Sequence, residues 1–539
     1  MKVTAIIATV AMSATAAASA QAIAAPAPTT SQPSTRATVN VCDSVTVASA
    51  RPGDLLAAPQ DVTQDSGLTT GRLYRVAYAT TGAGGAVVAS CGLIAVPDAD
   101  DLKSGALTGV VAWAHGTLGV QEKCQPSQKP QVFVGHMPQG IGSVTKKGDP
   151  STGALYNMLK RGYAVVATDY PSAGVGGNDL QRYVLGVAAG LAVLDSARTL
   201  TGNASAFGLA QIDPSARLPL VTWGHSQGGH AALWAGQLAS AYFEHLGDQT
   251  LDLAGVAAEA PASQFTTSPG QPPAYMGKHL GDRDIYNKNP GLIVPFPIGV
   301  AFFSFATVSW SQVQGATSGA FPFGPTPTVD YRQVLTSDGQ ATAPQVAQLC
   351  LAAANLKPML KITKPYLDPN KTRFFAPPFA GRKVAGKWQG AFDATCADPS
   401  RYAQSVHDWC AWLQFHMPGP NGVNPYSKLP RDNDGKKVPI YIAQGRNDRI
   451  IWCVDGIGAV QATNCLTEQL FQSFKGSYCD GTGYLKVDYF PLKTHLNIPN
   501  AAATKAGTSS YSGSPVDLFV SGAMEGTLTP LCRVNPKAD

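Results

Sequence analysis

The sequence predicts an α/β fold with a mostly parallel central sheet, helices on both faces and one large, mainly helical insertion. Three observations carry this expectation. Short, near-continuous apolar runs of strand type alternate with segments of helical periodicity between residues 72 and 262, and such strands belong to a parallel sheet covered on both sides. The alternation then stops for about 170 residues, far beyond the roughly 15 that a structureless connection spans in a compact domain. It resumes at VPIYIAQG, residues 438–445.

Taken in order, RLYRVAYAT and GAVVASCGLIAVP read as paired strands, and GVVAWAHG, YAVVATDY, LPLVTWGHS and LAGVAAEAPA as short buried ones. ALYNMLKRG, RYVLGVAAGLAVLDSARTL and GGHAALWAGQLASAYFEHL carry the helical period between them. After the break come VPIYIAQG, a helix over GIGAVQATNCLTEQLFQSF, a last strand YLKVDYFPL and a closing helix SPVDLFVSGAMEG. No internal repeat of fixed period is found. The expected core therefore covers 41–264 and 433–539, with a cap inserted at 265–432. Phe296, Phe302, Phe303, Phe305 and Trp310 fit the cap's own core, although a cap is also where an acyl or aryl group would be held.

The N-terminus has the pattern of an export signal. One lysine, an alanine-rich apolar stretch and Ala18-Ser19-Ala20 predict a cleaved peptide over 1–20, with a second candidate cut after Ala24. Residues 21–40, rich in Ala, Pro, Ser and Thr, read as a loose tail. No later apolar run reaches the roughly 18 to 20 residues of a membrane helix, so the expected location is secreted or periplasmic. Ten cysteines without a C-x-x-C pair argue for disulfides in an exported chain and against zinc. Cys453, Cys465 and Cys479 are close enough in sequence to find some partners locally. The net charge of +5 is spread along a chain with 14% charged residues, which leaves no basic footprint for nucleic acid.

Gly224-His225-Ser226-Gln227-Gly228 stands between an expected strand and an expected helix. A serine exposed on that turn needs a strained backbone and neighbours without bulk. It also needs a base and an orienting carboxylate, which follow it in the order serine, acid, histidine. With His230 and His245 set aside on the elbow's own helix, His279, His407 and His416 fall in the cap, and His495 follows a core strand in YFPLKTHLNIP. His495 is therefore the expected base. Asp448, in the loop after VPIYIAQG, is the expected acid; Asp455 competes, and Asp488 does so poorly because it lies within a strand. Gln227 N–H and Thr117 N–H, the latter with or without help from its own hydroxyl, are the expected oxyanion donors. His115 reads as a buttress of the Thr117 loop, His225 and His230 as packing residues of the elbow, and Asp169 as a stabiliser of its own turn. No metal ligand set and no cofactor site is read.

AWAHGTLGVQEKC, RGYAVVATDYPSAG, VLDSAR, WGHSQGGHAALWAG, GVAAEAPAS and YIAQGRNDRI together resemble the secretory lipase family, lipase A-like members of the α/β-hydrolase superfamily. The resemblance extends from about residue 70 to 500 and is poor in the cap. It implies an α/β-hydrolase fold, a lid over an acyl pocket, no cofactor, and carboxylic-ester hydrolysis with Ser226, Asp448 and His495 as the triad. Lipases, esterases and hydrolases of polyesters or aryl esters share that mechanism. The alternatives are a secreted serine peptidase on the same fold, for which the cap shows no acidic run to bind a free amine, and a non-catalytic binding protein.

Overall fold

The structure is a computed structural model. It describes residues 40–135 apart from Ser44, then 153–171, 180–266, 295–313, 328–367 and 373–538. Within the last stretch 378, 380–381, 385–386, 390–394, 397, 421–423, 427, 452 and 455–464 are left out. The expected signal peptide and nearly all of the tail lie outside these residues, as do parts of the cap.

The described strands form a ten-stranded sheet. They are β1 (Gln60–Asp61), β2 (Arg72–Thr81), β3 (Val87–Val96), β4 (Gly109–Ala114), β5 (Tyr163–Thr168), β6 (Leu218–His225) and β7 (Leu251–Glu259). Two small antiparallel pairs stand apart, β8 (Arg382–Val384) with β9 (Lys387–Gln389) and β11 (Asn447–Asp448) with β12 (Cys453–Val454). β10 (Ile440–Gly445), β13 (Tyr484–Phe490) and β14 (Leu531–Asn535) complete the main sheet. Its order is β1-β2-β3-β5-β4-β6-β7-β10-β13-β14. β1, β2, β3 and β5 pair antiparallel, and every pair from β5 to β14 is parallel.

Strand alternation divides the core between the two faces. Val110, Ala112, Ala114 and Leu220 face one side, where they meet α2 (Gly186–Gly202), α3 (Gln227–Leu246) and α8 (Leu466–Tyr478). Val111, Trp113, Val221 and Trp223 face the other, against α1 (Ala154–Lys160) and α9 (Pro515–Met524). Both faces being covered explains why these strands read as continuous apolar runs.

Between β7 and β10 the described residues include α4 (Pro295–Trp310), α5 (Ser337–Ala347), α6 (Ala353–Thr363) and α7 (Gln404–Phe415). They share a third apolar cluster containing Val300, Phe305, Trp310, Val346, Trp409 and Trp412, joined by Tyr183 and Leu185 from the core. Phe305 and Trp310 thus pack as core residues; Phe302 and Phe303 are partly buried against the same cluster, and the Phe296 side chain lies outside the described residues. Val300, Ala301, Phe305 and Trp310 of α4 are buried in this cluster. Among the described residues no helix is long and apolar enough to cross a membrane.

The inserted helices are fastened to the core by directional bonds. Trp310 Nε1 donates to Tyr183 O (2.6 Å), Tyr183 N–H to Ser309 Oγ (3.2 Å) and Leu351 N–H to Leu118 O (2.7 Å). At the end of α7, His416 O accepts from His230 Nε2 (2.9 Å) and Trp234 Nε1 (3.1 Å), and His416 Nδ1 accepts from Gly186 N–H (3.1 Å). That last bond needs an unprotonated Nδ1. Burial, and then the proximity of His230, push the His416 pKa down to about 3.

All ten cysteines are paired, as Cys42–Cys91, Cys124–Cys350, Cys396–Cys410, Cys453–Cys465 and Cys479–Cys532. The local expectation holds for Cys453 and Cys465, 12 residues apart, whereas Cys479 reaches 53 residues to Cys532. Of the helix read over 456–474, residues 456–464 lie outside the described residues and α8 covers the rest from Leu466. One element departs from the expected ones. YLKVDYFPL is not the last strand, because β14 follows the closing helix and pairs parallel with β13. LCRVN is short and largely exposed at the sheet edge, so hydrophobic pattern does not mark it; the Cys479–Cys532 bridge lies at its second residue.

The His416 contact yields a pH prediction. A histidine whose folded pKa lies below its unfolded value of about 6.5 leaves the unfolded chain binding more protons between the two values. Its stabilising contribution is complete above pH 6.5 and is lost as pH falls toward 3. Urea unfolding of wild type and His416→Asn across pH 4.5 to 7.5 is expected to show the wild type's advantage shrinking on acidification, with a slope of up to about 1.4 kcal/mol per pH unit. A pH-independent difference would contradict this.

Candidate active site

β6 is buried up to His225, and α3 begins at Gln227. Ser226 is therefore the whole of the turn. Its φ of 59° and ψ of −115° fall where a side chain is kept only by surrounding structure, at a cost of about 1–3 kcal/mol. Three backbone bonds supply that structure. Ser226 N–H donates to Glu259 O (2.8 Å), and Ser226 O accepts from His230 N–H and Ala262 N–H, each at 3.0 Å. Glycine is obligatory on both sides, since a Cβ on Gly228 would lie 1.8 Å from Ala114 O and one on Gly224 would lie 2.4 Å from Gly228 O.

The loop after β4 passes beside this elbow. A Cβ on Gly116 would stand 3.2 Å from His225 Nδ1 and 3.8 Å from Ser226 Cβ. His115 stiffens the loop, with Nδ1 2.7 Å from Gly116 O and its own carbonyl accepting from Tyr170 Oη at 2.7 Å. Burial pushes the His115 pKa down to about 4, so it stays neutral near pH 7. Thr117 is buried, and its Oγ1 is 2.8 Å from Tyr183 Oη. Gln227 N–H belongs to the first turn of α3, where amides have no carbonyl four residues back.

Asp448 ends β11, directly after β10, and is fully buried. Its Oδ1 accepts from Ile450 N–H (2.8 Å) and Ile451 N–H (2.9 Å), and its Oδ2 lies 3.0 Å from Gln444 Nε2 and 2.7 Å from His495 Nδ1. His495 opens a short 3-10 turn, His495–Asn497, after β13. With Nδ1 donating to Asp448, the Nε2 lone pair is the basic atom of the ring. His225 supports His495 from below, donating Nε2–H to His495 O (3.1 Å) with the ring centroids 4.6 Å apart. Burial and the neighbouring His495 hold the His225 pKa well below the ordinary value.

The structure bonds Asp448 to His495, sets His225, the residue before Ser226, against His495, and brings Gly116, the residue before Thr117, beside Ser226; Gln227 follows the serine at the start of α3. The other candidates are engaged elsewhere or are not described. Asp488 is paired with Lys486 Nζ at 2.8 Å, and Asp455 and His279 lie outside the described residues. His230 and His416 serve the packing of α3 against α7. Asp169 does not hold its own turn: its carboxylate accepts from Ser127 N–H (3.1 Å) and Ser127 Oγ, because the end of β5 faces the loop after β4. Burial raises its pKa to about 6. Among the described residues no group of His, Cys, Asp or Glu is placed to hold a metal. Gln444 and Tyr183 escaped the sequence reading, since neither residue type marks a site by itself.

The sheet order and the strand–serine–helix elbow are those of the α/β-hydrolase fold. A family model described as secretory lipase matches residues 145–269, the stretch that contains β5, β6, Ser226 and β7, in agreement with the resemblance read from the sequence. Among solved structures, the closed state of Candida antarctica lipase A aligns at a TM-score of 0.53 and 15% identity, covering 92% of this chain and 89% of that one. A second structure of Candida antarctica lipase A aligns at a TM-score of 0.52 and 15% identity over the same shares. No curated protein matches the chain.

The glycine geometry is open to test by equilibrium urea unfolding. Gly228→Ala is expected to cost about 1–3 kcal/mol, because the backbone carbonyl of Ala114 cannot move aside cheaply. Gly476→Ala, on an exposed part of α8 where an added Cβ meets nothing, is expected to stabilise by about 0.5–1 kcal/mol. Equal effects of the two substitutions would contradict the clash.

Proposed function

We propose that this protein is an exported carboxylic-ester hydrolase of the lipase or esterase type, acting through Ser226, His495 and Asp448. The observation that carries the reading is the elbow. A serine held in a strained turn at a helix start, whose preceding residue His225 supports a buried histidine already bonded to a carboxylate, has little structural purpose and a clear chemical one. The secretory lipase match over this region and the α/β-hydrolase fold support it.

In this mechanism His495 Nε2 removes the Ser226 proton as Oγ attacks the ester carbonyl. The Asp448 carboxylate then faces an imidazolium through the 2.7 Å contact at Nδ1 and stabilises it. Gln227 N–H and Thr117 N–H receive the oxyanion, each worth about 3 kcal/mol at the transition state. The imidazolium protonates the leaving alcohol, and a water activated by the same histidine releases the acid. No cofactor enters. The insertion at 265–432 acts as a cap that shapes the acyl pocket over a core of 41–264 and 433–539. Five disulfides support an oxidising destination, with 1–20 as the cleaved signal.

Turnover of nitrophenyl esters from acetate to palmitate, of tributyrin and of a polyester film tests the reading and ranks the substrates. Ser226→Ala is expected to abolish turnover and Asp448→Asn to lower kcat by about 10³- to 10⁴-fold. Full activity in Ser226→Ala, or cleavage of aminoacyl anilides without any ester turnover, would overturn it.

A further inference from the structure

We propose that Gln444 is a positioning residue for Asp448, anchored in turn by Thr467, so that the start of α8 fixes the geometry of the acid–histidine pair. This rests on the triad reading above and adds a residue outside it.

Gln444 is fully buried near the end of β10. Its Nε2 donates to Asp448 Oδ2, the same oxygen that His495 Nδ1 engages. With Ile450 N–H and Ile451 N–H on Oδ1, each carboxylate oxygen has two donors. The carboxylate can neither rotate nor slide without leaving a buried lone pair unpaired. The amide cannot be turned around. Asp448 Oδ2, Gly445 O (3.2 Å) and Ile451 O (3.4 Å) on its nitrogen side can only accept, while Thr467 Oγ1, 2.6 Å from Gln444 Oε1, supplies the donor on the other side.

Thr467 is itself firmly placed. It is buried in the first turn of α8, two residues after Cys465, whose disulfide reaches Cys453. Cys453 is the cross-strand partner of Asp448 in the β11–β12 pair. The acid is thus tied to α8 twice, once through the Thr467–Gln444 bonds and once through the bridge opposite it. In the proposed mechanism His495 takes up the Ser226 proton in the transition state, so loosening this chain weakens a bond that matters there and not in substrate binding. Losses are therefore expected in kcat with KM unchanged.

The test compares Gln444→Met, Thr467→Val and Thr467→Ser with wild type, counting active sites by fluorophosphonate titration so that misfolded protein drops out. The expected results are kcat lowered about 10- to 100-fold in Gln444→Met and about 3- to 10-fold in Thr467→Val, KM within twofold in both, and near-wild-type kcat in Thr467→Ser. The downfield proton NMR resonance of a histidine N–H bonded to a carboxylate should be shifted or lost in the first two and kept in the third. Should Gln444→Met fail to fold, the two Thr467 variants decide. Asp448→Asn is measured beside them. If it is severely impaired while Gln444→Met or Thr467→Val keeps wild-type kcat and resonance, this inference falls alone; if Asp448→Asn is fully active, the triad reading falls and takes the inference with it.

Discussion

The backbone of Ser226 is the constraint on which the rest of the site depends. A residue at φ 59° and ψ −115° persists because β7 supplies an acceptor for its N–H, while α3 and the segment after β7 supply donors to its carbonyl. The two glycines let Ala114 and α3 close on the turn without a side chain between them. Strain of this kind is retained only where neighbouring structure over-determines it. The parallel strands β4, β6 and β7 do so here, by ending at the same edge of the sheet.

What surrounds that turn is a set of buried polar groups sorted by charge. Burial keeps His115, His225, His230 and His416 neutral and raises Glu259 well above its ordinary value. Four donors converge on the Asp448 carboxylate. A buried carboxylate is tolerable when its lone pairs are engaged. The Asp448 carboxylate therefore stands behind the His495 ring, with Oδ2 2.7 Å from Nδ1. The neutral His225 beneath His495 adds support without competing charge.

The parts of this arrangement that were legible in the sequence are those with a fixed chemical order. G-x-S-x-G between an apolar strand and a helix indicates Ser226, and the late strands YIAQG and YLKVDYF lead to Asp448 and His495. What was hidden depends on contacts between distant segments. Gln444 and Thr467 are ordinary residues until folding places them 2.6 Å apart, and Tyr183 becomes relevant only through Thr117 and α4. Asp169 was misread because a turn aspartate and one that bridges to another loop look alike in sequence. β14 carries too little hydrophobic pattern to show, and its bridge to Cys479 is one of many pairings that ten cysteines permit.

A crystal structure after reaction with a nitrophenyl alkylphosphonate shows whether the elbow aims Ser226 Oγ and two amides at one carbonyl group. The expected result is phosphorus bonded to Ser226 Oγ, with the phosphonyl oxygen about 2.7–3.1 Å from both Gln227 N and Thr117 N and His495 Nε2 within hydrogen-bond reach. An adduct on another residue, or a phosphonyl oxygen turned away from both amides, would mean that the elbow does not position them so.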